Sequence, residues 1–224
     1  KGQKRILSSK ILVVGVGGLG CPAAENLVRA GIGNIGLIDN DIVNLSNIHR
    51  QSLFTSKDIK KSKVYVAEKK LKEINPSTKI KTYNSRLNKR NIRSIIKNYE
   101  LIIDGSDNFK TKFLINDNCI KFKKKLVCGA ISKFDGHIFT FDFKSKKIAS
   151  LRNFYQEEKI SDDILDCEFE GVLGTTATIV GALQANEALK MLMRIGQNLK
   201  NEILIIDLLN LNFRKVKFEK NKSK

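Results

Sequence analysis

A glycine-rich motif near the N-terminus has the residue types and spacing of a phosphate-binding turn. The motif consists of Gly15, Val16, Gly17, Gly18, Leu19 and Gly20. Glycines in such a turn let backbone N–H groups and the dipole of the following helix approach a phosphate closely. Asp39 ends the second predicted strand, where a carboxylate accepts hydrogen bonds from ribose hydroxyls. Together they predict an adenine-nucleotide site, and the spacing alone leaves NAD and ATP both open.

Asp107 is a second candidate for chemistry. It follows the fourth predicted strand, Leu101–Asp104, at the carboxyl edge where open α/β sheets bind ligands. A carboxylate is a hard oxygen ligand of the kind that Mg²⁺ prefers. The alternative role for Asp107 is to cap the helix predicted from Asn108 onwards. Asp104 ends the strand itself and is predicted to be a supporting or structural partner.

The cysteines do not form a recognisable metal site. They are Cys21, Cys119, Cys128 and Cys167, and no two have CxxC spacing. A cysteine-based zinc site typically contains two such pairs. Cys21, Cys119 and Cys128 fall on predicted packed elements, where a thiol acts as a small apolar group. A reducing cytoplasm is the predicted setting, without disulfides.

The elements that carry these residues alternate between strands and helices. We predict strands at 11–15, 34–39, 79–83, 101–104 and 125–129, and helices at 21–30, 58–74, 89–97 and 109–121. This order predicts a Rossmann-like α/β fold with a mostly parallel sheet. Alternating residues at 137–143 and further strands at 203–207 and 213–218 predict antiparallel C-terminal strands, with a helix at 171–193 between them. We predict a single domain over 1–224, with a mobile crossing loop at 143–170.

Charge and hydropathy narrow the range of partners. The chain of 224 residues has 41 Lys and Arg against 23 Asp and Glu, a formal net charge of +18. The lysines are spread along the chain and are not clustered with arginines and aromatics, so no nucleic-acid partner is predicted. No apolar stretch approaches the ~18 residues of a membrane span, so no membrane association is expected. The first residues lack the apolar core of a secretory signal, and because the chain begins at Lys1 we expect an upstream segment.

Several segments together resemble one enzyme family. They are DNDIVNLSNIHRQ at 39–51, the stretch 58–63, DGSDN at 104–108, GVLG at 171–174 and QANE at 184–187. In these segments, and in their order, the chain resembles the ThiF/MoeB/HesA family, the bacterial relatives of ubiquitin-activating enzymes. The resemblance implies an adenylyltransferase that uses ATP and Mg²⁺ and releases pyrophosphate. Its substrate would be the C-terminal glycine carboxylate of a ubiquitin-like sulfur carrier ending in Gly-Gly, for thiamine or molybdenum-cofactor sulfur transfer.

The resemblance also implies roles for individual residues. Arg50 and Lys63 would contact the triphosphate as catalytic cations, with Asn47 beside them. Asp107 would hold the magnesium ion. Family members are homodimers, so a homodimer is expected here.

Cys167 and two departures from the family pattern qualify this picture. In the thiamine branch a cysteine at the place of Cys167 links to the activated carrier, yet the acidic residues around Cys167 disfavour a thiolate. The two CxxC pairs that bind zinc in many members are missing, so no zinc is expected. The family's N-terminal helix bears an arginine that reaches the neighbouring subunit's ATP, and Arg5 lies too close to the first strand to replace it.

Two other functions remain open from the sequence. A NAD-dependent oxidoreductase would use the same glycine turn and Asp39. It would not need Asn47, Arg50, Lys63 and Asp107, because it has no triphosphate to neutralise. A non-catalytic scaffold that binds the carrier is the other alternative.

Overall fold

The computed structural model describes residues 1–145, 148–155 and 171–218 and contains one mixed sheet of eight strands. The strands are β1 (Lys10–Val14), β2 (Asn34–Asp39), β3 (Lys79–Asn84), β4 (Leu101–Asp104), β5 (Lys125–Ser132), β6 (Asp135–Asp142), β7 (Glu202–Asp207) and β8 (Asn212–Lys217). The helices are α1 (Gly2–Ser8), α2 (Gly20–Arg29), α3 (Lys63–Ile74), α4 (Ile92–Ile96), α5 (Phe109–Lys121), α6 (Leu151–Phe154) and α7 (Gly174–Met193).

The strand order places a ligand site at the carboxyl ends of β1 and β4. The order across the sheet is β3-β2-β1-β4-β5-β6-β7-β8. Strands β1 to β5 pair in parallel, and β6, β7 and β8 add antiparallel partners. The chain leaves β1 toward β2 and β3 and later returns to the other side of β1 as β4. Such a reversal opens a crevice above the strand ends. The predicted Rossmann-like fold with antiparallel C-terminal strands is confirmed.

Helices cover both faces of the sheet, which explains the continuous apolar runs of the central strands. Alternate residues of β1 face opposite sides, so Val13 belongs to one core and Leu12 to the other. The first core packs under α2, α3 and α7, and the second packs under α4, α5 and α6. Within the described ranges no helix combines the length and apolar character needed to cross a bilayer.

Some predicted bounds were wrong for local reasons. The helix predicted at 58–74 begins only at Lys63, because Ser56–Asp58 forms a separate 3-10 turn and Lys60 has a φ of 66°. The helix predicted at 171–193 begins at Gly174 after Gly171, whose φ is +67°. The helix predicted at 89–97 covers only Ile92–Ile96. The strand predicted at 125–129 continues to Ser132 because its last residues pair with β6.

Helix α1 and the predicted crossing loop also differ from, or lie beyond, what the sequence prediction can be compared with. Helix α1 was not predicted, and it buries Ile6, while Arg5 donates a hydrogen bond to the carbonyl of Met193 at the end of α7. In this chain Arg5 therefore supports a helix end and does not line the crevice above the strand ends. The crossing loop predicted at 143–170 falls mostly outside the described residues, although the described part contains α6.

Candidate functional site

A cleft of about 830 Å³ opens at the carboxyl ends of β1, β2 and β4. Its wall includes most of the site residues predicted from the sequence: Gly15, Gly17, Gly18, Asp39, Asn47, Arg50, Lys63 and Asp107. The stretch Gly171–Leu173 and the hairpin between β5 and β6 form part of its rim. The topology thus brings together residues that are widely separated in sequence.

The glycine motif forms the tight turn that its sequence predicted. Gly15 has a φ of +82°, and a Cβ there would lie 2.9 Å from the carbonyl oxygen of Gly105. Gly20 does not line the cleft, because it is buried at the start of α2, where a Cβ would lie 1.8 Å from the Gly15 oxygen. The last glycine therefore permits close packing of helix against turn, while Gly17 and Gly18 border the cleft.

Asp39 connects the end of β2 to the glycine turn. Its Oδ2 accepts a hydrogen bond of 2.7 Å from the backbone N–H of Val16, and its Oδ1 accepts one of 2.8 Å from Asp41 N–H. Burial raises the pKa of Asp39, and the backbone donors together with Lys63 offset part of that increase. The carboxylate thus fixes the backbone of the turn, while its edge borders the cleft. Its contact with a ribose remains a prediction.

The loop that carries Asn47 and Arg50 lies directly against the start of α7. A Cβ on Gly174 would lie 2.3 Å from the His49 carbonyl oxygen, so only glycine permits this approach. The Arg50 Nη1 donates to the Ser46 carbonyl at 3.2 Å and lies 2.9 Å from His49 Nε2. These contacts hold the guanidinium at the cleft wall.

Lys63 is the first residue of α3 and is 4% exposed. Its ammonium forms an ion pair of 3.0 Å with the carboxylate of Asp41. The Asp41 side chain is 58% exposed, so it can turn toward water. The Lys63 backbone N–H also donates to the Asp41 carbonyl at 3.0 Å, which fixes the start of the helix beside the cleft.

Asp107 is exposed at the cleft and does not cap α5. The cap is Asn108, whose Oδ1 accepts a hydrogen bond of 2.9 Å from Thr111 N–H. Among the residues that the structure describes, Asn108 Nδ2 donates a hydrogen bond of 3.1 Å to Asp107 Oδ1. Mg²⁺ commonly binds to one or two carboxylates, water and nucleotide phosphates, and Asp107 at the cleft suits that arrangement.

The described residues contain no cluster of three or more His, Cys, Asp or Glu side chains that would hold a metal ion by themselves. Asp107 is thus a single carboxylate at the cleft, of the kind that can bind Mg²⁺ together with nucleotide phosphates and water. The absence of zinc stays a prediction, since residues that the structure does not describe could contribute ligands.

The cysteines fall into two groups. Cys167 lies outside the described residues, so its proposed nucleophilic role stays a prediction. Cys21, Cys119 and Cys128 are buried, and burial raises the pKa of the Cys21 thiol to about 12 and those of Cys119 and Cys128 well above their usual range. These three thiols pack in the interior, as predicted. His137, on β6, has its Nδ1 3.3 Å from the Tyr155 hydroxyl.

The structure adds cleft residues that the sequence did not single out. Gln51 is 4% exposed, and its Oε1 is buried with no hydrogen-bond partner among the described residues. Arg86 reaches the cleft from the segment after β3, and Lys112 reaches it from α5. Gln51 directly follows Arg50 in the family-like segment, which was the available signal. Lys112 lies in a stripe of buried α5 residues with Phe109, Phe113 and Asn116, a spacing that could have identified it.

Comparison with known proteins adds an independent line of evidence. The sequence model of the ThiF family matches residues 1–224. The chain is 41% identical over 218 residues to a probable molybdopterin-synthase adenylyltransferase of Porphyra purpurea, covering 97% of this chain and 56% of that protein. It is 38% identical over 224 residues to the sulfur carrier protein adenylyltransferase of Thermus thermophilus, covering 99% and 83%.

Longer relatives and solved structures extend the comparison. The chain is 37% identical over 224 residues to the adenylyltransferase and sulfurtransferase MOCS3 of Drosophila willistoni and spans 49% of its length. It therefore spans about half the length of several curated relatives. A crystal structure of Escherichia coli MccB with ATP has a TM-score of 0.85 at 18% identity, covering 99% of this chain and 66% of that one. At this identity the likeness supports the fold alone.

Proposed function

This chain belongs to the ThiF family, and from that membership we propose that it is an ATP-dependent adenylyltransferase acting on a protein carboxylate. The substrate is the C-terminal glycine of a ubiquitin-like sulfur carrier that ends in Gly-Gly. The names of the Porphyra and Thermus relatives support this class of reaction. They also favour it over a NAD-dependent oxidoreductase.

The reaction joins two anions, and this explains the cationic side chains at the cleft. A carboxylate oxygen of the carrier attacks the α-phosphorus of ATP and forms the acyl-phosphate bond. The bond from that phosphorus to the bridging oxygen breaks, and pyrophosphate leaves with the electron pair. Negative charge grows on the phosphate oxygens during this step. Arg50 and Lys63 stabilise that charge from fixed positions on the loop and on α3.

The glycine turn and Asp39 provide the binding platform. Backbone N–H groups around Gly17 and Gly18, at the start of α2, donate to phosphate oxygens. Asp39 keeps that turn in place through Val16 and accepts from the ribose. The buried Oε1 of Gln51 has no hydrogen-bond partner in the part of the chain that the structure describes, which supports a polar ligand beside the turn.

Asp107 would hold the magnesium ion together with phosphate oxygens and water. When bound, the ion supplies positive charge that lowers the electrostatic cost of bringing the carboxylate to the phosphates. The contribution of this chain is to present one exposed carboxylate at the end of β4. Asn108 caps α5 in place of Asp107 and donates a hydrogen bond to the Asp107 carboxylate.

One observation carries the proposal. Eight of the predicted site residues, drawn from segments between Gly15 and Asp107, line a single cleft: Gly15, Gly17, Gly18, Asp39, Asn47, Arg50, Lys63 and Asp107. This set combines backbone N–H groups that can donate to an anion, two cationic side chains and a carboxylate that can bind Mg²⁺. A triphosphate needs this combination, whereas a nicotinamide dinucleotide has no use for the second cation and the carboxylate.

ATP–pyrophosphate exchange with candidate carriers ending in Gly-Gly tests the function. We expect carrier-dependent exchange in the wild type and its loss in Asp107→Ala. Asp135→Ala, an exposed aspartate on β6 outside the cleft wall, is the matched control and should retain exchange. The carrier that works would separate the thiamine from the molybdenum-cofactor pathway. ATP binding without exchange, using a chain with any native upstream segment restored, would instead favour a scaffold that binds the carrier.

The homodimer and the cytoplasmic location belong to the same proposal. The homodimer rests on the family resemblance, and the location rests on the cysteine pattern, which favours a reducing compartment. Sedimentation equilibrium with and without ATP would measure the mass of the assembly. A monomer under all conditions would contradict the dimer.

A further inference from the structure

Lys112 is a buried cation directly beneath the cleft. It lies in the first part of α5, is 4% exposed and borders the cleft. Its Nζ donates to the Gly129 carbonyl at 2.6 Å and to Asp104 Oδ2 at 3.4 Å. One ammonium therefore joins α5 to the end of β4 and to β5.

The carboxylate of Asp104 shapes the turn that leads to Asp107. It is fully buried, and its Oδ1 accepts from Ser106 N–H at 2.9 Å and from Ser106 Oγ at 2.6 Å. Its Oδ2 accepts from Cys128 Sγ at 3.1 Å as well as from Lys112. Four donors thus converge on one carboxylate and fix it against the backbone of the turn.

The turn between Asp104 and α5 is anchored at both ends. At one end the Gly105 N–H donates to the Val14 carbonyl at 2.9 Å, and Ser106 is bound to Asp104. At the other end Asn108 caps α5. Asp107 lies between these anchors and is exposed to the cleft, so its position depends on how firmly Asp104 is held.

Stability alone does not explain a buried ion pair at this point. Well-packed apolar side chains of similar volume often stabilise an interior as well as, or better than, a buried pair. Here the pair joins three elements at the one place where a proposed metal-binding carboxylate leaves the sheet.

We propose that Lys112 is a positioning residue whose ammonium holds Asp104, and through it the turn at 105–106, so that Asp107 faces the cleft in a fixed orientation. The consequence for ATP and Mg²⁺ rests on the proposed function. The consequence for the order of the turn does not.

The first test measures the turn directly. Hydrogen exchange at the amides of Gly105, Ser106 and Asp107 is expected to rise about tenfold in Lys112→Met and to stay near wild type in Lys112→Arg, which keeps the charge and the donors. Lys125→Met is the matched control, because Lys125 also donates to a carbonyl, that of Met191 at 3.0 Å, but outside the cleft. Unchanged exchange at the turn in a folded Lys112→Met protein would overturn the proposal.

The second test links Lys112 to Asp107 by a double-mutant cycle. ATP affinity is measured by calorimetry with and without Mg²⁺. We expect Lys112→Met to weaken binding about tenfold with Mg²⁺, as loss of a group that orients a metal ligand does, and less than about twofold without it. In the Asp107→Asn background, Lys112→Met should have less than about twofold effect, because the residue that it positions is already neutral.

Equal losses with and without Mg²⁺, or equal losses in both backgrounds, would mean that Lys112 only stabilises the fold. If Lys112→Met does not fold, Ser106→Ala removes just the Oγ bond to Asp104 and replaces it in the cycle. A wild-type protein that binds no ATP would contradict the proposed function, while hydrogen exchange at the turn would still decide the role of Lys112.

Discussion

Two lysine–aspartate pairs each place a lysine at the same cleft, and the pairs differ mainly in burial. Lys63 and Asp41 lie 3.0 Å apart, and their side chains are 6% and 58% exposed. Lys112 and Asp104 lie 3.4 Å apart, and their side chains are 4% and 0% exposed. In the first pair the lysine is buried and its partner faces water. In the second pair both groups are buried and tied to the backbone.

The difference separates a cation that a ligand can use from one that it cannot. Water can solvate Asp41, so exchanging it for a phosphate costs Lys63 little. Asp104 has no access to water, and separating it from Lys112 would leave two desolvated charges without partners. We therefore propose that Lys63 contacts the substrate and that Lys112 holds the structure around the cleft in place. A third pair, Asp58 with Lys70, is intermediate, with exposures of 12% and 27%.

The largest effect is expected from Asp104→Asn. This change leaves the buried ammonium of Lys112 without an opposite charge, and breaking a buried pair in this way costs about 3–5 kcal/mol. Urea denaturation would measure the loss in the free energy of unfolding. The exposed Asp135→Asn should change it by less than about 0.5 kcal/mol. A loss below about 1 kcal/mol in Asp104→Asn would mean that the two cleft pairs contribute similarly to stability and that burial does not distinguish them.

Lys63→Met should give the converse result. Asp41 then becomes solvated, so the free energy of unfolding should change by less than about 1 kcal/mol. Pyrophosphate exchange should fall by at least about 100-fold, because a fixed cation no longer stabilises the charge on the phosphates. Lys72→Met is the control on the same helix, since Lys72 pairs with Glu68 on the exposed face. Retained exchange in Lys63→Met would contradict the assignment of Lys63 to the substrate.

The sequence predicted the central strands well because their physical signal is local. The bounds of Asn34–Asp39 and Leu101–Asp104 agree with the structure, since both strands are short apolar runs buried on both faces. The start of α3 was misplaced because the capping box of Thr55 and Asp58 closes a separate turn. Helix α1 was missed because a single buried residue, Ile6, gives almost no periodic pattern.

The two lysine–aspartate pairs at the cleft could not be predicted from such local signals. Lys63 stood out only by family resemblance, and its partner Asp41 is brought close by the bridge between Ile42 and Ser62. Lys112 was one lysine among many in a Lys-rich chain, and its burial depends on how α5 packs against β4 and β5. The sequence indicates which residues could be charged partners. The sheet topology determines which of them meet and whether water reaches them.

Asp58→Asn tests the intermediate pair through pH. Burial alone would raise the pKa of Asp58, but hydrogen bonds from Lys70 and Thr55 outweigh it and hold the pKa below its ordinary value of 3.8. A lowered pKa means that the carboxylate stabilises the fold above about pH 4 and that this contribution is lost as the pH falls further. We expect Asp58→Asn to cost about 1–2 kcal/mol at pH 7.

The pH dependence distinguishes an ionic contribution from simple packing. The difference in free energy of unfolding between wild type and Asp58→Asn should shrink as the pH is lowered from 5 toward 2. Urea titration of both proteins at each pH would measure this difference. A difference that stays constant with pH would mean that the charge of Asp58 contributes nothing. Lys70→Met should lower the stability above about pH 4, where Asp58 is ionised, and this loss should also shrink toward pH 2, since the substitution removes the main partner of Asp58.

Asp41→Asn is expected to have the smallest effect, and its sign is informative. Asp41 holds the ammonium of Lys63, so ATP that binds as proposed above would displace the carboxylate. Removing the carboxylate charge should leave stability within about 0.5 kcal/mol, because its side chain is largely exposed and its backbone N–H still donates to Asp39.

The affinity for ATP should then rise about two- to threefold at low salt, and the gain should diminish at about 1 M salt as screening weakens the competing pair. Calorimetric titration of Asp41→Asn and of Asp135→Asn, which removes an exposed aspartate outside the cleft wall, would measure this. A weaker affinity in Asp41→Asn would indicate that Asp41 orients Lys63 for the ligand. The Lys63 pair would then be a positioning pair like that of Lys112, and water access alone would not separate the two roles.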